Sequence, residues 1–254
     1  MSNGYVTSGI ERSIADFYEN APLIFTSVPV MIAVIAVVIL IMLISAAIVK
    51  VYTEKYHNIG NMAGASGSEI CVLMLRDYNA EGFRVGKEET RKKSIEYDRK
   101  DNAVILSGEI SETRTVTSAV YTAIYTQEAY WAGTHRLAAG IRNIYGVIKN
   151  VILFLSILAI FLGNILTFIA FSARAVIGVG ALGMVIWLLL SLIDIVHVIK
   201  INKTAHDELN RLGVITADKD QFDKLFSVMK LRFLADDLRD ACEMAYILAR
   251  VIPM

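Results

Sequence analysis

The chain has 254 residues, and its 25 basic and 25 acidic side chains give a formal net charge of zero. This balance argues against a nucleic-acid partner, because such proteins need excess cations to displace counterions. Hydrophobic residues make up 55% of the chain, and the mean hydropathy is +0.52. A soluble globule can hardly bury that much apolar surface, so membrane spans are expected. Two cysteines are too few for a disulfide framework.

Three apolar runs, at residues 28–50, 151–173 and 175–199, predict transmembrane helices. Each is about as long as the ~20 residues that a helix needs to cross a bilayer. Arg174 alone separates the second run from the third, which predicts a helical hairpin. The first run is interpreted as a retained anchor, because residues 1–27 carry one arginine against three acids, unlike a cleaved signal peptide.

Lysines and arginines near the ends of the spans predict the orientation of the chain, since cytoplasmic flanks are enriched in them. Residues 51–150 and 200–254 are therefore expected in the cytoplasm of a multi-pass protein of a prokaryotic cell membrane. Residues 1–27 are expected outside. The flanking charges on the cytoplasmic side are Lys50, Lys55, Arg136, Arg142, Lys149, Lys200, Lys203 and Arg211, against Arg12 and Arg174 on the other.

The third span contains glycines at 178, 180 and 183 that match the G-x-G-x-x-G pattern of dinucleotide-binding loops. Such a loop requires a preceding strand and contact with water. These glycines lie inside an apolar helix, where small residues allow helices to approach closely. The pattern therefore predicts helix–helix packing.

The polar insert between the first two spans predicts a small α+β module. Ser66-Gly-Ser-Glu69 is typical of a capping box that opens a helix. Residues 93–97 and 103–107 predict a β-hairpin, and residues 115–135 predict a long helix. A second amphipathic piece, 136–149, leads into the second span. The expected fold is an α-helical membrane protein with three transmembrane helices and a small cytoplasmic α+β module.

The insert resembles the bacterial membrane-anchored neutral zinc metallopeptidases. The resemblance is carried by Tyr56-His-Asn-Ile-Gly-Asn61, Gly67-Ser-Glu69, and the segment from Tyr97-Asp98 through Asn102-Ala-Val-Ile-Leu-Ser107 into Ala119–Ala132. Together with the spans, it covers most of residues 30–235. It implies a metallopeptidase-like layout, in which a helix of the form H-E-x-x-H holds zinc and supplies the general base.

The resemblance places this zinc motif on Gln127-Glu-Ala-Tyr-Trp131. Glu128 then stands at the general base, Gln127 and Trp131 stand at the two histidine ligands, and Lys200 replaces the third ligand, a glutamate. Glutamine is a poor zinc ligand, tryptophan offers no lone pair, and lysine carries the wrong charge. Without zinc to lower the pKa of bound water, Glu128 has no activated nucleophile. Neither a metal nor another cofactor is expected.

These substitutions predict a catalytically inactive peptidase homologue, a pseudopeptidase. It would act as a scaffold, regulatory or structural subunit of a membrane assembly, in contact with the lipid bilayer and with a protein partner or a second copy. The alternative is an active membrane metallohydrolase with atypical ligands, for which Glu128, His135 and His206 are candidates.

Three local predictions follow for the structure. The ammonium of Lys200 should take the place of the metal and pair with Glu128, beside Trp131; otherwise both charged side chains reach separately into water. Asp194, i to i+3 from His197, is expected to cap the helix or form an ion pair with His197. The acidic run at 236–240 is expected to be a solvated helix face.

Overall fold

The computed structural model describes residues 28–80, 82–88, 95–98, 100–166, 173–215 and 219–251. The predicted extracytoplasmic segment 1–27 lies outside the described residues. The helices and strands, in chain order, are α1 Val28–His57, α2 Gly67–Asp77, β1 Arg84–Glu88, β2 Ile95–Asp98, β3 Ala103–Ser107, α3 Gly108–Glu112, α4 Val116–Thr134, α5 Arg136–Leu166, α6 Ala173–Arg211, α7 Lys219–Met229 and α8 Arg232–Val251.

The structure divides into two compact units, each with its own core. The first, here called the apolar unit, comprises the described parts of 1–43, 146–192 and 237–254. The second, here called the α+β unit, comprises the described parts of 44–145 and 193–236.

Among the described residues, three helices are long and apolar enough to cross a membrane, as the sequence predicts. The segments that meet this criterion are Ile35–His57, Arg136–Gly163 and Val176–Arg211. The helices themselves are longer than the predicted spans. The amphipathic piece 136–149 and the second apolar run form one continuous helix, α5, because no proline or cap interrupts them.

The apolar unit has a small core, formed by Val38, Met42, Leu153 and Trp187. Helix α8 adds partly buried apolar side chains to it, among them Leu238.

The apolar unit also holds a buried ion pair between α5 and α8. Lys149 donates to both carboxylate oxygens of Asp237, at 2.8 and 3.1 Å. The prediction that the acidic run at 236–240 is a solvated face is therefore wrong at Asp237. Its carboxylate turns inward because a buried cation lies opposite it.

Glycines of α6 bring that helix close to α5. A Cβ at Gly180 would lie 2.7 Å from the carbonyl oxygen of Ser156, and one at Gly183 would overlap the Ser156 hydroxyl. Any larger side chain would force the helices apart. The predicted role of this glycine pattern in helix–helix packing is confirmed.

The α+β unit begins with the predicted capping box. The Ser66 hydroxyl accepts the Glu69 amide at 3.4 Å, and the Glu69 carboxylate accepts the Ser66 amide at 2.7 Å. Helix α2 then buries Ile70 and Met74 in a core that it shares with α4. Cys71, on the same helix, belongs to a second cluster of buried apolar residues, which includes residues of β3.

The sheet has the strand order β1-β3-β2. The antiparallel pair of β2 and β3 is the predicted hairpin, with Tyr97 opposite Val104. Strand β1, which pairs in parallel with β3, was not predicted. Its sequence, Arg-Val-Gly-Lys-Glu, contains one strongly apolar residue and a glycine, so it carries little β signal of its own. Pairing with the apolar strand β3 overrides that local preference.

Helix α4 lies at the centre of the α+β unit and carries the segment Gln127–Trp131. The hydroxyl of Thr115 accepts the Ser118 amide at 3.1 Å and caps the start of the helix. Ala119, Val120 and Ala123 are fully buried. The predicted helix 115–135 is confirmed to within one residue at each end, and its dense packing holds the side chains of the candidate site in place.

Candidate functional site

The two positions that the sequence resemblance assigns to histidine ligands hold side chains with other partners. Gln127 is buried, and its amide oxygen accepts a hydrogen bond from the Tyr78 hydroxyl at 2.5 Å. The ring of Trp131 meets the His197 ring edge-on, with centroids 4.4 Å apart, and stacks against His135 at 5.8 Å. Neither side chain presents a lone pair next to Glu128.

Glu128 pairs with an arginine of the next helix. Nη1 of Arg142, on α5, donates to the Glu128 carboxylate at 3.2 Å, and Nε of the same guanidinium lies 3.8 Å from the carboxylate of Asp194 on α6. The result is a carboxylate–guanidinium–carboxylate cluster. Asp194 thus forms its ion pair with Arg142, whereas the sequence predicts His197 as its partner.

The prediction that Lys200 pairs with Glu128 is wrong. Lys200 is exposed, and no ion pair joins it to Glu128 among the described residues. At 3.6 residues per turn, Lys200 lies roughly 130° around α6 from the centre of the face that holds His197, Ile201 and Asn202. The helix therefore directs the lysine away from Glu128.

A cavity of about 130 Å³ opens beside Glu128 within the α+β unit. Helices α4, α5, α6, α7 and α8 all contribute to it. Its walls combine charged, polar and apolar side chains. The lining residues are Ile124, Glu128, Arg142, His197, Val198, Ile201, Asn202, Met229, Arg232, Phe233 and Asp236.

The charges of the cavity are arranged in two ion pairs. Besides Glu128 with Arg142, Nε of Arg232 lies 3.3 Å from the Asp236 carboxylate, and its guanidinium carbon lies 4.2 Å from the centroid of the Tyr125 ring. Each guanidinium thus lies next to a carboxylate, and the cavity wall is close to neutral.

The environment of Glu128 disfavours its ionised form. Some 43% of its side-chain surface is accessible at the cavity. The protein packed around the rest raises the pKa of the carboxyl, chiefly by excluding water, and the nearby Asp236 and Asp194 raise it further. Arg142 lowers the pKa, but by less than burial raises it.

Two polar side chains of α6 that line the cavity carry buried atoms without a hydrogen-bond partner among the described residues. Asn202 is 2% exposed, and neither its amide nitrogen nor its amide oxygen has a hydrogen-bond partner among the described residues. The same holds for Nε2 of His197. Buried polar atoms are paired in most proteins, so this concentration beside one cavity marks the site.

The residues around Glu128 do not fit a zinc ion. Zinc requires nitrogen, sulfur or carboxylate ligands in close array, and the described residues contain no group of three or more His, Cys, Asp or Glu side chains that could hold a metal. The guanidinium of Arg142 would also repel a dication next to Glu128.

The histidines of the alternative ligand set lie elsewhere. Nδ1 of His135 is 2.9 Å from the Thr134 hydroxyl at the end of α4. Nε2 of His206 is 2.7 Å from the Asp223 carboxylate. Neither histidine lines the cavity beside Glu128.

Reasoning from the sequence missed Arg142, Asn202 and Arg232 as site residues. Arg142 was counted only as a charge flanking the second span. The inward position of Arg142 is visible only in the structure, where it lies three residues after Ala139 and seven before Lys149, both of which are buried. This spacing places it on the inward face of α5. Asn202 and Arg232 carry no local sequence signal either.

A mostly helical chain with three long apolar helices and a small sheet before the helix of Glu128 fits the metallopeptidase-like layout that the sequence resemblance implies. A family model agrees, and the chain belongs to that family: the one described as "Putative neutral zinc metallopeptidase" matches residues 30–251. The resemblance stated from the sequence is thereby confirmed. A search of curated proteins and a search of solved structures each gave no match.

Proposed function

We propose that this chain is a catalytically inactive, zinc-free member of its family that acts by binding rather than by hydrolysis. The observation that carries the proposal is the ion pair between Arg142 and Glu128 at 3.2 Å. A guanidinium stays protonated at all physiological pH values. It therefore gives Glu128 a permanent cation from within the chain.

Arg142 can balance charge but cannot replace the chemistry of zinc. A zinc ion lowers the pKa of its bound water to ~7 and polarises the carbonyl under attack. A guanidinium donates hydrogen bonds and coordinates nothing. Glu128 thus has a cation beside it but no activated water to deprotonate.

The binding role would be exerted at a cell membrane, as a scaffold, regulatory or structural subunit of a protein assembly. The apolar helices support insertion in the bilayer. The first turns of α5 add support, because Leu137, Ile141 and Ile144 are exposed and share one face by their i, i+4, i+7 spacing. A face of this kind next to Arg136 suits the boundary between lipid and water.

The proposed topology has residues 1–27 outside and the α+β unit and the C-terminus in the cytoplasm. A reporter fused after Met254 that is active only in the cytoplasm should give a signal. Activity of a reporter that requires export would contradict this orientation.

The zinc content and the peptidase activity of the purified protein test the proposal that it is catalytically inactive. Full-length protein purified in detergent should contain no stoichiometric zinc and should not hydrolyse a casein substrate. Zinc present at stoichiometry, and lost on Glu128→Gln or His135→Ala, would overturn the proposal in favour of a metallohydrolase with atypical ligands.

Two variants that regain the histidines of the family's zinc motif test the role assigned to Arg142. Both would carry Gln127→His and Trp131→His, and one would also carry Arg142→Ala. We expect the variant without the arginine to bind zinc more tightly, because the guanidinium no longer repels the ion. Equal zinc affinity in the two variants would show that Arg142 does not occupy the place of the metal.

Co-purification from native membranes tests the binding role. Cross-linking before solubilisation should yield a defined complex that contains either a second protein or a second copy of this chain. Recovery of only the uncross-linked monomer would argue against a subunit role.

A further inference from the structure

Another cavity of the α+β unit lies between the β2–β3 turn and the junction of α4 with α5. Its volume is about 380 Å³. Two of the side chains that line it are cations, and no carboxylate lines it among the described residues. This distinguishes it from the cavity beside Glu128, where each guanidinium lies next to a carboxylate. The lining residues are Tyr97, Lys100, Asn102, Ala132 and Arg136.

The two cations of this cavity are unpaired within the described part of the chain. Asp98 precedes Lys100 in the hairpin turn, but its carboxylate accepts the backbone amide of Lys100, at 2.8 Å. No carboxylate of the described residues forms an ion pair with the Lys100 ammonium or with the guanidinium of Arg136, the first residue of α5. Two unpaired cations at one cavity repel each other, and an anion between them would remove that repulsion. The charge of the cavity therefore indicates an anionic ligand.

Hydrogen bonds hold the uncharged wall of the cavity in place. The Tyr97 hydroxyl donates to the side-chain oxygen of Asn102 at 2.6 Å, and the Asn102 amide nitrogen donates to the carbonyl oxygen of Gly82 at 2.8 Å. Asn102 ends the turn with a φ of 49°, in the left-handed region that asparagine tolerates better than most residues. These bonds fix the turn that carries Lys100.

The start of α5 connects this cavity with an exposed apolar face. Leu137, Ile141 and Ile144 are 87%, 70% and 63% exposed. Leu137 directly follows Arg136 in the chain, and at 3.6 residues per turn Ile144 lies about 80° from Arg136 around the helix. A ligand with its anionic group in the cavity can therefore extend carbon chains along this face.

The length of α5 places Arg136 at the depth of lipid headgroups. The segment of α5 that is apolar enough to cross a membrane begins at Arg136 and has 28 residues. At ~1.5 Å per residue such a segment measures about 42 Å. A hydrocarbon core is ~30 Å thick, and a bilayer with its headgroups is ~40–45 Å thick. The first residue of a segment this long therefore lies among the phosphates of the bilayer.

We propose that the cavity of Lys100 and Arg136 binds the phosphate of an anionic phospholipid, whose acyl chains lie along Leu137, Ile141 and Ile144. The two cations select an anion, while the apolar face and the depth of Arg136 select a lipid. A zwitterionic headgroup also carries a cation, which the basic side chains repel, so the site favours lipids with a net negative charge. This inference rests on the proposed function, because it requires the membrane location given there.

Native mass spectrometry of the full-length protein in a neutral detergent measures the binding of added lipids. The probes are phosphatidylglycerol, which is anionic, and phosphatidylcholine with the same acyl chains. We expect the wild type to bind phosphatidylglycerol roughly ten-fold more tightly. Lys100→Gln and Arg136→Gln should each weaken its binding by about five-fold, and the double variant by about 30-fold, as the attraction of single basic side chains to anionic headgroups predicts.

Lys200→Gln with Lys203→Gln is the matched control. This variant also loses two positive charges, but both lysines are exposed on α6 and neither lines the cavity. It should leave the binding of phosphatidylglycerol unchanged. Because Lys100 and Arg136 are exposed as well, their substitution should not alter the melting temperature without lipid, so weaker binding cannot be attributed to unfolding.

Two soluble anions distinguish a free phosphate from a lipid headgroup. Inorganic phosphate and glycerophosphoglycerol carry the anion without acyl chains, so in calorimetry both should bind more weakly than phosphatidylglycerol. Ile141→Ser, on the exposed face, should weaken the binding of the lipid but not that of inorganic phosphate. Inorganic phosphate that binds as tightly as the lipid would overturn the assignment to a phospholipid.

The inference is also wrong if phosphatidylglycerol and phosphatidylcholine bind equally, if the double variant keeps the affinity of the wild type, or if the control variant loses as much affinity as the double variant. Extraction of native membranes with sodium carbonate tests the membrane location separately. Protein released without detergent would contradict the proposed function. Protein that stays in the membrane but shows no lipid preference would contradict only this inference.

Discussion

The buried ion pair between Lys149 and Asp237 supports a prediction about the stability of the apolar unit. Lys149 Nζ lies 2.8 Å from one carboxylate oxygen, and the two side chains are only 9% and 11% exposed. Removing one partner leaves the other charge buried and uncompensated. Lys149→Met or Asp237→Leu alone should each lower the free energy of unfolding by ~3–5 kcal/mol.

The double variant should be much less affected than either single one. Replacing both ions with apolar side chains of similar size removes the desolvation penalty together with the attraction, so the net change should be small or stabilising. For a chain of this length, ~1 kcal/mol shifts the melting temperature by ~2–4 °C. Each single variant should therefore melt about 6–20 °C below the wild type.

Thermal unfolding in detergent, followed by circular dichroism, measures these shifts. The pair Lys50–Glu54 is the control, because its side chains are 75% and 67% exposed and its atoms are 3.7 Å apart. Lys50→Met should change stability by no more than ~1 kcal/mol. A Lys149→Met shift as small as that of Lys50→Met, or a double variant as unstable as the sum of the singles, would refute the reasoning.

Three further predictions concern packing, accessibility and pH. Gly180→Ala, whose added Cβ would meet the backbone of Ser156, should destabilise the chain by ~1–3 kcal/mol through overpacking, whereas Gly146→Ala, whose added Cβ meets nothing within 4 Å, should not lower the melting temperature. Burial raises the pKa of Cys71 to about 11, so iodoacetamide at mildly alkaline pH should label the exposed Cys242 and spare Cys71, as peptide mapping would show. Burial also raises the pKa of Glu128 above 4.5, so the native state binds more protons than the unfolded state. The stability from this carboxyl is present at low pH and lost as pH rises through the folded pKa, and Glu128→Gln should flatten that slope in denaturant titrations.

Elements with strong local signals could be predicted from the sequence. The capping box at Ser66, the hairpin of β2 and β3 and the apolar helices each depend on residues that are close together in the chain. Strand β1 could not be predicted in this way, because its stability comes from pairing with Ala103–Ser107 rather than from its own composition.

The partners of charged residues could not be predicted, because they are brought together only by the tertiary structure. Lys149 and Asp237 are separated by 88 positions, and sequence reasoning assigned the first to a membrane flank and the second to a solvated face. The sequence predicts that Glu128 pairs with Lys200, because the family resemblance aligns that lysine with a metal ligand. The direction of each side chain depends on the face of the helix that bears it. Lys200 lies on an outward face of α6, and Arg142 lies on the inward face of α5.

The geometry of Arg142 supports the proposal that an arginine takes over the charge balance that the resemblance assigns to a metal. Its planar guanidinium offers several donors in fixed directions, so it can meet Glu128 and Asp194 at once, whereas a lysine ammonium acts as a point charge. Without that cation, Glu128, Asp194 and Asp236 would form a cluster of like charges. The carboxylates and the arginine therefore depend on each other for charge compensation. We therefore expect that supplying histidines at 127 and 131 alone does not restore a metal site, because the cation already present must also be removed.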